Sequence, residues 1–237
     1  MPHPLEGVVY LFEEGFMLAQ LSALQNSTKI WHPVYIQADG KLGSLQIRAL
    51  TGDDALCQKV IEFLENNPFE FYRNGRRYTH EDAEKTVDLL RTRFETGNPF
   101  SGFALLDKGK VVGLLRIGFD DDPRKIQIAG MGMQDYQNKG IGKKALDWIL
   151  REYLPMLHSH GYRLPVFGSD GKTVKEWVDL SKTCVVATVH PDHHHCNHLL
   201  SKAGFTLVKQ VKVDDFSGIH DGRRNVYEIA IKRFLKP

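Results

Sequence analysis

The sequence predicts a layered α/β (α+β) fold, a sheet with helices packed on it. Three observations carry this. Two amphipathic helices come early: one follows Thr51-Gly52-Asp53-Asp54, and one follows the capping box Thr79-His80-Glu81-Asp82. A hairpin comes next, with Asp107-Lys108-Gly109-Lys110 as the turn between strands at Phe103 to Leu106 and Val111 to Phe119. An apolar strand from Ile126 to Met133 then feeds a polar turn, two glycines and a helix.

Each helix has a readable face. In the first, Leu56, Val60, Ile61 and Leu64 recur at helical spacing, and Asn66-Asn67-Pro68 ends it. In the second, Ala83, Val87, Leu90 and Phe94 do so, and Gly97 closes it. The helix from Lys139 to Leu154 carries Ala145, Ile149 and Tyr153 on one stripe, with Pro155 as its expected stop. Before these, Val8 to Phe12 reads as a strand and Phe16 to Leu24 as a weak helix. Val34 to Gln37 and Ser44 to Leu50 read as a hairpin turning at Ala38-Asp39-Gly40-Lys41. Residues 1–43 are therefore expected to be an extension, a hairpin or packing element with a lid or dimer contact as the alternative, on a main domain of 44–237.

Residues 155–183 read as an insertion: loop-like from Gly161 to Asp170, then a short helix from Lys172 to Leu180. Cys184 to Val189 is an apolar strand. His190-Pro191-Asp192 leads into a helix from about His193 to Ala203, with Gly204 at its C-terminus. Thr206 to Val213 and Asn225 to Phe234 read as two closing strands.

The chain has 237 residues, net charge +2 and a balanced composition. That excludes a strongly basic nucleic-acid binder. The three cysteines are few, odd in number and far apart, which fits a reducing compartment. No basic n-region with an apolar run opens the sequence, and no stretch approaches the ~20 apolar residues of a membrane span. A cytoplasmic protein without membrane or nucleic-acid partners is expected.

A strand, a glycine-rich turn and a helix N-terminus make an anion site. The first helical amides lack intrahelical partners, and the helix dipole is positive there. Gly140 and Gly142 remove side-chain bulk, while Lys139, Lys143 and Lys144 add charge. The spacing fits neither the Walker nor the dinucleotide pattern.

Gln137-Asn138-Lys139-Gly140-Ile141-Gly142 resembles the Gln/Arg-x-x-Gly-x-Gly/Ala signature of the GCN5-related N-acetyltransferases (GNAT). Val189-x-Pro191-Asp192, a helix, and Lys202-Ala203-Gly204-Phe205 resemble the second half of that signature, in the right order. The likeness spans residues 45–237. It implies a mixed, mainly antiparallel twisted sheet flanked by helices, and acetyl-coenzyme A as cofactor. It further implies that the backbone of Met131, Gly132 and Met133 pairs with the pantetheine arm. Amides of Asn138, Lys139, Gly140, Ile141, Gly142 and Lys143 would hold the pyrophosphate, with Gln137 opening the signature, and His193 would contact the cofactor.

Acetyl transfer to a primary amine needs a neutral amine, a donor to the oxyanion and an acid for the thiolate. Relatives often place a glutamate base where this chain has Gln127, which cannot take a proton. His190, Asp120 or Asp121 through water, or no base at all, are the alternatives. The acid positions of the family fall on Leu200 and Cys196. Cys196 can donate, and a helix N-terminus would lower its pKa. Tyr227 is a second candidate acid. The run His190 to His198 offers His194/His198 and His193/Cys196 as helix-face pairs, fewer ligands than a zinc site uses, so no metal is expected. The expected activity is acetyl-coenzyme A-dependent N-acetylation of a small-molecule or peptide amine. The alternative is a weak or inactive coenzyme A-binding module with a regulatory role.

Overall fold

The structure is a computed structural model that describes residues 40–42, 45–66, 78–119, 122, 124–132, 139–167, 174–212 and 222–235. The elements expected at Val8, Phe16 and Val34 lie outside these residues, as do Asp120 and Asp121. Strands β1 (Gly40–Leu42) and β2 (Leu45–Ala49) lead into helices α1 (Asp54–Asn66) and α2 (His80–Glu95). Then come β3 (Gly102–Asp107), β4 (Lys110–Phe119) and β5 (Lys125–Gly132). Helix α3 (Ile141–Trp148) runs through a π-helical turn (Ile149–Tyr153) into α4 (Leu154–Ser159). The chain continues with β6 (Arg163–Phe167), β7 (Val174–Asp179), β8 (Cys184–Val189), α5 (His194–Lys202), β9 (Thr206–Lys212) and β10 (Arg223–Ala230).

The main sheet has the order β1-β2-β3-β4-β5-β8-β10-β9. Its pairings are antiparallel except β5 with β8. This is the mixed, mainly antiparallel sheet that the resemblance implied. On one face, Ile126, Ile128, Val185 and Ala187 pack with Ala145, Leu146 and Trp148 of α3 and Leu200 of α5. On the other, Leu56, Val60 and Leu64 of α1 and Ala83, Val87 and Leu90 of α2 pack on Ala104, Leu106 and Leu114. No helix among the described residues is long and apolar enough to cross a membrane.

Local chemistry explains the element ends. Thr79 Oγ1 accepts from the Asp82 N–H at 3.1 Å, capping α2 as its sequence predicts. In α1 the cap is Asp53, whose Oδ1 accepts from the Leu56 N–H at 3.0 Å. That bond, with the Arg48 guanidinium 3.0 Å away, holds the Asp53 carboxyl below its usual pKa. Lys108 and Gly109 both have positive φ, 49° and 79°, as a two-residue hairpin turn requires.

Four expectations need correction. The first hairpin does not turn at Ala38 to Lys41. Gly40 pairs with Ile47 and Leu42 with Leu45, so Gly40 and Lys41 are strand residues. Burial of Leu45 and Ile47 sets that register, whatever the turn chemistry of Asp39-Gly40. Pro155 does not stop the helix. The Leu154 N–H bonds to the Ile149 carbonyl in the wider turn, and Pro155 falls in the first turn of α4, where no N–H is required. The π turn also brings Trp148 and Tyr153 into a stack 4.9 Å apart, whereas residues five apart in a regular helix diverge by about 140°. Phe103 meets both rings edge-on at 5.1 and 5.0 Å.

The third correction concerns Arg163–Phe167 and Val174–Asp179, which are neither loop nor helix but the antiparallel strand pair β6–β7, with Leu164 opposite Val178 and Pro165 opposite Trp177. Leu164 and Val178 are buried and anchor the ribbon, and a two-stranded ribbon tolerates Pro165 because every strand has an edge. The fourth is the last strand, which ends at Ala230 and passes into a 3₁₀ turn over Ile231–Arg233, with the Ile231 N–H bonded to the Thr183 carbonyl.

Gly102 lies under α2 so closely that a Cβ there would sit 2.6 Å from Leu90 Cδ1 and 3.1 Å from its Cβ. Gly102→Ala is expected to cost about 1–3 kcal/mol by overpacking, read as a lower urea midpoint with an unchanged m-value.

Candidate active site

The site begins with a defect in the sheet. β5 and β8 pair through three positions, Lys125 with Cys184, Ile126 with Val185 and Gln127 with Val186. Beyond Gln127, β5 runs on to Gly132 alongside β4, while β8 runs on to Val189 alongside β10. The two strands part into a wedge whose inner edges carry unspent peptide groups. Helices α3 and α5 follow these two strands.

Gly140 precedes α3 in the left-handed region, φ +75°, with no atom within 4 Å of where a Cβ would stand. The Lys144 N–H makes the first helical bond, to the Gly140 carbonyl at 3.0 Å. The amides of Ile141, Gly142 and Lys143 therefore have no intrahelical partner. The first turn holds no acidic residue. Open space, oriented amides and the helix dipole fit an anion. Gly132, Lys139, Gly140, Gly142 and Lys143 are exposed on this rim, and Ile141 is half-buried. The Lys143 ammonium turns away to Asp147, at 2.6 Å. Gly142 has a second role: a Cβ there would lie 3.3 Å from Leu199 Cδ2, so glycine lets α3 approach α5. Met133, Gln137 and Asn138 lie outside the described residues, as does the side chain of Met131.

The other wall is organised by Asn197, a residue that sequence reasoning missed. Its Nδ2 donates to the carbonyls of His190 at 2.9 Å, Pro191 at 3.1 Å and His193 at 2.9 Å. Its Oδ1 accepts from Asn225 Nδ2 and from the Tyr227 hydroxyl, both at 2.9 Å. Both hydrogens and both lone pairs of the carboxamide are thus spent on tying the β8–α5 turn to β10. The signal was available: asparagine is a poor helix former, and one in a first helical turn invites the question of what it caps.

This network assigns the neighbouring groups. Tyr227 is buried, and its O–H is committed to Asn197. His190 is 3% exposed, and its Nδ1 accepts from the Asp192 N–H at 3.2 Å. With Nδ1 accepting, a neutral ring carries its proton on Nε2; the Asp192 carboxylate lies 3.8 Å from the same Nδ1. Cys196 is half-buried beside the core, and burial pushes its thiol pKa up. This corrects the lowering expected from a helix N-terminus: desolvation of the thiolate sets the direction. His193 is half-buried and precedes α5 without a side-chain cap.

Gln127 stands apart from this group. The core residues Ile126 and Ile128 face α3, so strand alternation turns Gln127 to the face that carries α1 and α2. Tyr227, also in the α3-side core, lies through the sheet from it. Gln127 is 3% exposed, and no donor among the described residues reaches its Oε1. Its β4 partner is Gly118, which offers no side chain.

Loss of the Asn197 carboxamide strands the Pro191 carbonyl and two donors, while the His190 and His193 carbonyls keep backbone partners. Asn197→Ala is expected to cost about 2–4 kcal/mol, and Asn197→Asp at least as much because a carboxylate oxygen would face those carbonyls; chemical denaturation reads both.

A family model described as the acetyltransferase (GNAT) family matches residues 58–162. A search of curated protein sequences gives no match. Among solved structures, the chain is similar to a ribosomal-protein-S5-alanine acetyltransferase from Vibrio fischeri, with TM-score 0.56 and 15% identity over 84% of this chain and 99% of that one. It is similar to a chimera of spermidine N-acetyltransferase from Vibrio cholerae and hSSAT, with TM-score 0.57 and 15% identity over 82% of this chain and 100% of that one. It is also similar to yncA, a putative acetyltransferase from Salmonella typhimurium solved with acetyl-CoA, with TM-score 0.55 and 16% identity over 80% of this chain and 95% of that one. At such identities the likeness is one of fold. The family match supplies what fold alone does not: residues 58–162, which include the strand, glycine turn and helix described above, match the model of the GNAT family of acetyltransferases.

Proposed function

We propose that the chain transfers an acetyl group from acetyl-coenzyme A to a primary amine by direct attack in a ternary complex. The observation that carries this is the wedge after Gln127, with the α3 amides beside it. A cofactor bound there supplies an acetyl thioester whose carbonyl carbon is open to an amine. The α3 amides from Ile141 to Lys143, with Gln137, Asn138, Lys139 and Gly140 before them, would hold the pyrophosphate. The backbone of Met131, Gly132 and Met133 would pair with the pantetheine arm and polarise the thioester carbonyl. His193 would border the cofactor from the opposite wall.

Three groups would share the proton work. Burial keeps the proton on the Cys196 thiol at neutral pH, which suits it to protonate a departing thiolate. The Nε2–H of His190 suits a donor role, toward the oxyanion or the leaving group. Tyr227 would act through Asn197, as a positioning residue rather than an acid. The three free thiols fit a cytoplasmic setting.

A second reading, a coenzyme A-binding module without turnover, is favoured by one feature, the neutral Gln127. Thiol release across an amine panel separates the two: release with an amine supports transfer, and tight cofactor binding without release supports the module.

Calorimetry is expected to show acetyl-coenzyme A binding to the wild type. Gly140→Val, strained at φ +75°, should weaken it at least about tenfold, and unchanged affinity would misplace the phosphate site. Cys196→Ala is expected to lower kcat by about a hundredfold while acetyl-coenzyme A affinity changes less than about threefold. An unchanged kcat would return Cys196 to packing.

A further inference from the structure

Gln127 is the last residue of β5 paired to β8, at the apex where the strands part. On its face of the sheet its row reads Gly118, Gln127, Val186 and Glu228 across β4, β5, β8 and β10. A buried carboxamide oxygen that no described donor reaches is costly, and an N–H arriving with a ligand repairs the loss.

The charged groups around Gln127 are already engaged with each other. Lys125, two residues before it on the same face, bonds Glu228 at 2.8 Å and lies 3.7 Å from Asp122. Arg116, from β4, adds a buried cation, which disfavours a second positive charge nearby. β8 contributes Val186 and Thr188 to this face, which are uncharged.

From this geometry we infer that Gln127 is the anchor of the acceptor amine, and that the acceptor class is a weakly basic amine, such as the α-amino group of a peptide, in preference to a lysine-like alkyl amine. The inference rests on the acetyltransferase reading and deepens it. Oε1 of Gln127 receives one N–H and leaves the nitrogen lone pair free. It cannot take a proton, so the amine arrives neutral. The nitrogen then bonds to the acetyl carbon, the C–S bond breaks, and the proton lost by nitrogen ends on sulfur. One amine and one thioester give one amide and one thiol.

Proton availability sets the preference. At pH 7.5 about a third of an α-amine is neutral, against about one part in 800 of a lysine-type amine, a ratio of about 250. The stronger nucleophilicity of the more basic nitrogen takes back part of this, so a preference of at least about tenfold is expected.

Two probes test it: alaninamide, an α-amine, and Nα-acetyl-lysinamide, an ε-amine. Thiol release from acetyl-coenzyme A is followed from pH 6 to 10.5. The rate with each amine should rise about tenfold per pH unit and level off near that amine's own pKa, with alaninamide at least tenfold faster at pH 7.5. A break at one pH for both amines, or equal rates at pH 7.5, means that a residue takes the proton and overturns the assignment. Turnover of neither amine by a protein that binds acetyl-coenzyme A also overturns it. No binding of acetyl-coenzyme A brings down the acetyltransferase reading itself. Gln127→Leu supplies a readout free of turnover. The free variant should melt no lower than the wild type, and alaninamide should bind its coenzyme A complex at least tenfold more weakly. A clear fall in melting temperature would show that Oε1 serves the fold, and unchanged amine affinity would remove Gln127 from the subsite.

Discussion

Two strands that pair for three residues and then part leave peptide donors and acceptors facing each other across a gap. A continuous sheet would have spent those groups on itself. Here β5 takes its remaining bonds from β4, and β8 takes its own from β10. The rest of the molecule stabilises that divergence. α3 and α5 fill the outer side with Ala145, Leu146 and Leu200, while α1 and α2 close the other face of the sheet over β3 and β4. The gap is thereby kept open by packing around it.

The walls of the wedge are fixed by different means. On the β5 side the requirement is backbone freedom: Gly140 adopts a conformation that a side chain would strain, and the first amides of α3 stay unspent. On the β8 side it is saturation: the Asn197 carboxamide uses every donor and acceptor it has to bind turn, helix and β10 together. At Gly142 the walls nearly touch, because only a missing Cβ lets Leu199 approach. A wall that presents amides and a wall that is internally satisfied suit a site in which one side grips a charged group and the other holds its shape.

Much of the fold was legible because it rests on local chemistry. The α2 cap at Thr79, the turn at Lys108-Gly109 and the apolar run of β8 are set by short-range sterics and hydrogen bonding. The failures share a different cause. Pro155 reads as a stop unless the chain can insert a wider turn, and that turn is stabilised by stacking of Trp148 on Tyr153 and by Phe103 from a distant strand. The β6–β7 ribbon has weak alternation and a proline, and the pairing of Leu164 with Val178 that sustains it is invisible from either strand alone. Cys196 illustrates the same limit for electrostatics, since a helix start predicts one direction of shift and burial imposes the other.

By itself, then, the sequence determined where the anion-binding turn lies, which helices and strands flank it, and that a glutamine occupies the strand feeding it. These follow from residue types in order, because caps, glycine backbones and periodicity act over a few residues. Only the tertiary structure decided that Gln127 is buried at the point where the sheet opens, that Tyr227 lies through the sheet from it with its hydroxyl committed, and that Asn197 joins the second wall. Each of those depends on strand register and helix packing between residues far apart in the chain, and spacing along one segment carries no record of what will lie across from it.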